Sequence, residues 1–394
     1  MLEPADLTPS AIAKKLTLPV LEHNPYSALA ELRAETPVAW VPALGGWLVT
    51  SHEQAVAVMR DADTFTVDDP RFSTAQVLGP SMLSTEGQEH RRRRRAFAES
   101  FRPSDIRNGF EVWLRDEAER RVVELSCQDS SVELRTALAG PVAAATISRF
   151  LGLVDGEPET ILTWYERIVA AIVAVTVGED ISSQSAIAIA KLKSKVIETT
   201  RHPALSLVSK VHQSGQLSPS ELESEVAVLM FGAIETSEGM IANALWQLLT
   251  NPQLFPLVRD DEALLAPLVE ESLRLEPAAT RIDRYCTRDA KVGDANVRTG
   301  DLVIVSLLAA NRDPQVFDTP DEFDIDRSNT DQHLAFVQGP HACLGLHLAR
   351  LETIETLRAV VAAFPGIALD RAASEPPQGL IFRKPPAVVA RLGN

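Results

Sequence analysis

The run F-V-Q-G-P-H-A-C-L-G-L-H-L-A-R, from Phe336 to Arg350, sets one cysteine between a tight turn and a helix. Gly339 and Pro340 hold the turn, and beyond Gly345 the apolar residues Leu348, Leu351 and Ile354 recur at helical spacing. A thiolate just ahead of a helix N-terminus is stabilised by the dipole and by free backbone N–H groups. Cys343 is therefore a candidate for a soft, charged ligand to a haem iron. Two other readings use the same residues. A lone C-x-G also describes a structural cysteine in a Gly-rich turn. His341, Cys343 and His347 would offer zinc three ligands, without the second close Cys/His pair that structural zinc sites use.

The full pattern, F-x-x-G-x-H-x-C-x-G followed by an apolar helix that begins L-A-R, resembles the proximal haem loop of the cytochromes P-450. The resemblance implies that Cys343 is the axial ligand of a b-type haem and that Phe336, His341 and Gly345 belong to the cofactor's surroundings. One position departs from the pattern. Val337 stands where the family usually has a small residue, often Gly, so a slightly rearranged loop is expected there.

The rest of the chain bounds the reading. Its 394 residues, 45% apolar and 23% charged, show no linker-like stretch, so one large domain over residues 1–394 is expected. Cys127, Cys286 and Cys343 are scattered and odd in number, which argues against a disulfide framework and for a reducing compartment. Met1 to Leu18 has neither a signal peptide's apolar core nor a membrane anchor, so a cytoplasmic location is expected. A net charge of -16 disfavours nucleic acid as a partner. The local exception is Arg91 to Arg95, five consecutive arginines.

Residues about 20–85 read as a small, β-rich mixed part, with strands at Val38 to Val41 and Trp47 to Thr50 and a helix at His52 to Arg60. From about Glu86 helices dominate: Arg91 to Phe101, Glu111 to Leu125, Ala137 to Leu153, Ile161 to Thr176, Ala186 to Thr199 and Ala204 to Val211. The longest helix is delimited by its caps. Ser218 as N-cap, Pro219 and Glu221 form a capping box, and Asn251-Pro252 disfavours continuation past Thr250. Inside it lies G-A-I-E-T-S, Gly232 to Ser237, an awkward segment for a helix interior, because Gly costs about 1 kcal/mol against Ala and Thr can bond back and bend the helix. Either a tolerated Gly at a close contact or a functional distortion explains it.

Beside Cys343, that segment resembles the family's oxygen-binding groove, an acid and an alcohol after a small-residue pair. The resemblance makes Glu235 and Thr236 the catalytic pair that relays protons to bound oxygen, with Thr236 holding the proton and Glu235 linking the network to solvent. Ala233 stands where Gly is commoner and narrows the groove. Glu271 and Arg274 in L-V-E-E-S-L-R would by spacing alone be a surface ion pair worth about 0.5 kcal/mol. By resemblance they meet Arg327, from P-D-E-F-D-I-D-R, in a buried network that scaffolds the haem loop. Two propionates need cationic or donor partners, and the resemblance assigns His90, Arg94, Arg284 and His341 to them. Arg92, Arg93 and Arg95 would remain on the surface to dock an acidic electron donor such as a ferredoxin, itself reduced from NAD(P)H by a ferredoxin reductase.

The implied fold is mainly α with a minor β region, a triangular helical prism around a buried haem. The implied activity is that of an O2-activating monooxygenase, a monomer acting on a small-molecule substrate. The substrate pocket expected by family position takes in Arg71, Gln76, Leu229, Phe231, Ala233, Ala279, Ile282 and Ile381, most of them apolar. Three outcomes stay open: hydroxylation or epoxidation of a specialised metabolite, oxidative C–N or C–C coupling by the same oxidant, and a haem sensor or carrier without turnover.

Overall fold

The computed structural model describes residues 9–127, 131–153, 158–176, 178–201 and 206–393. The expected helix start at Ala204, and the first eight residues of the leader reading, lie outside them. Chain contacts divide the protein into two compact units. The first comprises Met1–Val67, Ala242–Cys343 and Pro365–Gly393, and the second is built mainly from Asp68–Ile241 and Leu344–Phe364.

The first unit is organised by a five-stranded sheet. Val38–Val41 pairs antiparallel with Gly46–Val49, which runs parallel to Leu302–Ser306; Arg281–Cys286 and Phe65–Thr66 follow, each antiparallel to its neighbour. Side chains alternate across the pleat. Val38, Trp47, Val49, Val303 and Val305 face one way and pack on the helix His52–Arg60 and on Leu334 and Val337. Ala39, Val41, Leu48 and Ile304 face the other way and pack on the helices Ala11–Lys15, Leu18–His23 and Tyr26–Glu35. Both faces are covered, which is why the strands read as near-continuous apolar runs. The stretch over residues 20–85 is therefore less β-rich than expected. It supplies three strands, and the two that complete the sheet come from residues 281–306.

The second unit is helical. Among its helices are Gly87–Ala98, Glu111–Ser126, Gly140–Leu151, Pro158–Thr176 and Ser183–Arg201, each within a few residues of the sequence reading. A turn of π-helix, Arg135–Ala139, precedes the third of these, and Ser73–Leu78 is a short helix. The long helix runs Pro219–Thr250, about 48 Å at 1.5 Å per residue. Its capping box is formed as read: the Glu221 carboxylate accepts from the Ser218 N–H at 2.7 Å, and the Ser218 hydroxyl accepts from the Glu221 N–H at 3.4 Å.

Candidate active site

In the first unit the cysteine loop is held by its own backbone. The Cys343 N–H donates to the Phe336 carbonyl at 2.8 Å, and Gly339–His341 forms a turn of 3-10 helix. Gly339 has φ +77, and a Cβ there would lie 2.4 Å from the Met59 carbonyl oxygen, so no other residue fits without moving backbone. Val337 sits at φ +62. A β-branched residue in the left-handed region carries strain, which accounts for the small residue usual at this position. The loop keeps the glycine-like conformation, and the Val337 side chain is instead absorbed into the apolar cluster beneath the sheet. Cys343 is half-buried and is not in a disulfide.

The network behind the loop is formed. Arg274 Nε and Nη2 donate to the two Glu271 carboxylate oxygens at 2.8 and 2.7 Å, and Arg327 Nε donates to Glu271 Oε1 at 3.1 Å. Glu271 and Arg274 have no exposed side-chain surface, unlike the surface pair that spacing alone suggests. Arg274 also donates to the carbonyls of Asn311, Pro320 and Glu322. Asn311 Oδ1 accepts from the Leu334 N–H at 2.7 Å, two residues before Phe336. A continuous chain of bonds thus leads from the ion pair to the loop.

A second buried network escaped the sequence reading. Glu276 accepts from Tyr26 Oη at 2.5 Å, from Arg312 at 2.9 Å and from Arg383 at 3.1 Å. Burial, followed by the Glu276 charge, pushes the Tyr26 phenol up. Arg284 is buried on its strand and donates to the Asp283 carbonyl. Ala279 bridges to Phe382 and the Thr280 N–H donates to the Ile381 carbonyl at 2.8 Å, so two of the expected pocket segments do lie together.

In the second unit, the long helix is buried over much of its length yet open along one line. Leu229, Ala233 and Thr236 are half-buried and Gly232 is exposed; a Cβ added to Gly232 would meet nothing within 4 Å. These four positions follow helical spacing along one face. The Thr236 hydroxyl donates to the Gly232 carbonyl at 2.5 Å, and Phe231 is buried. Glu235 accepts a hydrogen bond from the Tyr165 hydroxyl, on the helix Pro158–Thr176. Burial and the Glu235 charge push the Tyr165 phenol up, so its proton stays on oxygen. No local signal marked Tyr165 as that partner.

The arginine run behaves differently from the reading. Arg93 is buried, donating to Glu89, to the Pro80 carbonyl and to Glu225, while Arg92 binds Glu89, Glu221 and the Gln216 carbonyl. Neither is a spare surface charge, because acids on the long helix claim them. The Arg92 side chain, with the Ser218 backbone, holds the Glu221 carboxyl down to about 2. Glu225 is pushed up by burial, against Arg93 and the Met82 N–H. Arg91 and Arg95 are exposed; His90 is buried and Arg94, four residues on, is half-buried. Arg71 is exposed and forks onto Asp69, and Gln76 Nε2 donates to the Pro70 carbonyl.

Glu352, on the helix Leu346–Ala363, is buried, and its Oε1 has no hydrogen-bond partner. Burial pushes its carboxyl up to about 7, with the hydroxyls of Ser237 and Thr146 opposing part of that rise. A raised acid keeps its proton in the folded state while the unfolded chain loses it. Stability is therefore unaffected below about pH 4.5, falls as pH rises to about 7, and is level above. Glu352→Gln is expected to change little at about pH 5 and to gain about 3 kcal/mol at about pH 8. Urea unfolding at the two pH values checks this; an equal gain at both would contradict it.

Among the described residues no three His, Cys, Asp or Glu side chains gather as a metal-binding cluster, and no helix is long and apolar enough to cross a membrane. The half-buried cysteine of the loop has the chemistry of a thiolate ligand to a haem iron. The cytochrome P450 family profile matches residues 176–387. Nocardicin C N-oxygenase of Nocardia uniformis subsp. tsuyamanensis is 31% identical over 91% of this chain and 94% of its own. The cytochrome P450 monooxygenase PikC of Streptomyces venezuelae is 30% identical over 88% of this chain and 85% of its own. Among solved structures, P450BioI in complex with an acyl carrier protein superposes with a TM-score of 0.84 at 26% identity, covering 93% of this chain and 98% of that one. The chain belongs to the cytochrome P450 family, whose members are haem-dependent oxidoreductases that use O2 and delivered electrons.

Proposed function

We propose that this chain is a monomeric, cytoplasmic monooxygenase with a b-type haem that hydroxylates or epoxidises an apolar specialised metabolite. The observation that carries the reading is the acid–alcohol pair Glu235 and Thr236 midway along the long helix, in a chain that has the family's cysteine loop. When bound, the haem supplies the iron at which oxygen is activated, and thiolate donation favours O–O cleavage. Cys343 provides that sulfur. His90, Arg94, Arg284 and His341 are the proposed partners of the propionates, and Phe336 and Gly345 adjoin the cofactor.

The Thr236 hydroxyl, bonded to Gly232, retains lone pairs that can hold a water or a proton. Glu235 then hands protons toward it, and Tyr165 fixes the carboxylate's position as a donor without giving up its own proton. Leu229, Phe231 and Ala233 in the second unit, and Ala279, Ile282 and Ile381 in the first, are the proposed apolar contacts of the substrate. Arg71 and Gln76 are already engaged, so a polar substrate group meets them only by displacing Asp69 or the Pro70 carbonyl. The relatives' names, an N-oxygenase and a monooxygenase, support oxygen insertion as the outcome. Electrons would come from NAD(P)H through a ferredoxin reductase and a ferredoxin, for which Arg91 and Arg95 are the exposed arginines of the run.

Turnover with a surrogate ferredoxin system tests the proposal by product mass. A gain of one oxygen is expected. Loss of two hydrogens would mean oxidative coupling, and no substrate-dependent NADPH use would leave a sensor or carrier. Thr236→Ala is expected to bind haem normally while diverting most reducing equivalents into peroxide, which a peroxide assay against NADPH consumption measures; unchanged coupling would remove Thr236 from the relay.

A further inference from the structure

In the first unit, two short segments proposed to touch the substrate are fixed to each other by one buried ion pair. Ala279 forms a bridge with Phe382, and the Thr280 hydroxyl donates to the Leu380 carbonyl at 2.7 Å. The turn that carries Leu380 to Phe382 closes where Gln378 and Lys384 exchange backbone bonds at 3.1 Å. Leu380 and Phe382 are only half-buried and Ile381 is exposed, so the side chains at the tip do little to hold it. Arg383, the next residue, is buried.

Each nitrogen of the Arg383 guanidinium has an acceptor. Nε donates to Glu276 Oε2 at 3.1 Å, Nη1 to the Glu22 carbonyl at 2.8 Å, and Nη2 to the His23 carbonyl at 3.1 Å and to the Tyr26 hydroxyl at 2.9 Å. Glu22 and His23 end the helix Leu18–His23, where carbonyls need donors from elsewhere in the chain. Glu276 lies three residues before Ala279, and Arg383 two after Ile381. Their bond therefore sets how far apart the two segments stand. Asn243 Nδ2 reinforces it by donating to the carbonyls of Glu276 and Arg383, at 2.9 and 3.0 Å.

We propose that Arg383 is a positioning residue for the substrate: tied to Glu276, it holds the turn at Leu380 to Phe382 against Ala279 to Ile282 and so limits the size and pose of the ligand. The assignment rests on the proposed substrate contacts at Ala279, Ile282 and Ile381. A bulky ligand meets both segments and gains from their being ordered beforehand, whereas a ligand that needs only the iron does not. The planar fork is what makes the hold rigid, because Lys keeps the charge but offers no fixed set of donors.

Titration of the haem-loaded protein with imidazole and with the bulky azole clotrimazole tests this, since both bind haem iron through a ring nitrogen and shift its absorption. In Arg383→Lys, clotrimazole is expected to bind at least about tenfold more weakly, while imidazole affinity stays within about twofold and the carbon monoxide spectrum of the reduced protein is unchanged. Tyr26→Phe removes only the hydroxyl shared by Arg383 and Glu276; it is expected to weaken clotrimazole about threefold, and it replaces the lysine variant if circular dichroism shows that one unfolded. The titration needs no turnover, so a haem sensor or carrier would give the same contrast. No binding of clotrimazole to the unaltered protein would contradict the proposed apolar pocket, and this assignment with it. Equal weakening of both azoles, or clotrimazole affinity unchanged in a folded variant, would show that Arg383 serves stability alone and would overturn the proposal.

Discussion

Cys343→Ser is expected to abolish the long-wavelength carbon monoxide band of the reduced protein and to eliminate turnover. A serine hydroxyl is a hard, largely protonated group and a poor substitute for a thiolate on haem iron. The loop itself should survive, because the bond that closes it runs from the backbone N–H of residue 343 to the Phe336 carbonyl and does not involve sulfur. The expected result is therefore a folded protein with an altered spectrum. Secondary structure by circular dichroism and the carbon monoxide difference spectrum, recorded on the same sample, separate loss of the ligand from loss of the fold. An unchanged spectrum would place the ligand elsewhere.

Arg274→Ala should be the most damaging change away from the thiol. The guanidinium has no exposed surface and serves both oxygens of Glu271 and three backbone carbonyls. Removing one partner of a buried pair costs about 3–5 kcal/mol, and here it leaves the buried Glu271 with Arg327 as its remaining arginine and three carbonyls without their donor. Against a total stability of about 5–15 kcal/mol, that is a large share. Because the bonds continue through Asn311 to Leu334, haem retention should fall together with stability. Arg274→Lys keeps the charge but not the fork, so an intermediate loss is expected. Urea unfolding with parallel haem quantification measures both; a midpoint unaffected by the alanine variant would show that the network does not stabilise the fold.

How much could be read in advance depended on the range of the interaction. The long helix was legible at both ends, since its start is a capping box four residues wide and its end an Asn-Pro pair, both local. The strands Val38–Val41 and Gly46–Val49 announced themselves, but the sheet they join did not, because its remaining order rests on pairing with residues more than two hundred positions away. The cysteine loop and its buried Glu271, Arg274 and Arg327 were legible only through a family pattern; E-x-x-R by itself describes a surface pair.

The arginine run shows the opposite case. A row of like charges carries no information about which members will be claimed by acids on another helix, so Arg93 was misread as a surface charge, and Arg92, though partly exposed, is tied to Glu221. Tyr165 and the Glu276 network share that property, being contacts between distant segments with no local signature. Val337 marks a place where the departure was visible but its consequence was not. The structure around it holds valine at φ +62, in the left-handed region.

The central claim is a bond from the sulfur of Cys343 to the iron of a porphyrin. X-ray absorption at the iron edge of the unaltered, hemin-reconstituted protein measures it directly. One sulfur neighbour that disappears in Cys343→Ser is the predicted result, and an iron shell made only of nitrogen and oxygen would contradict it.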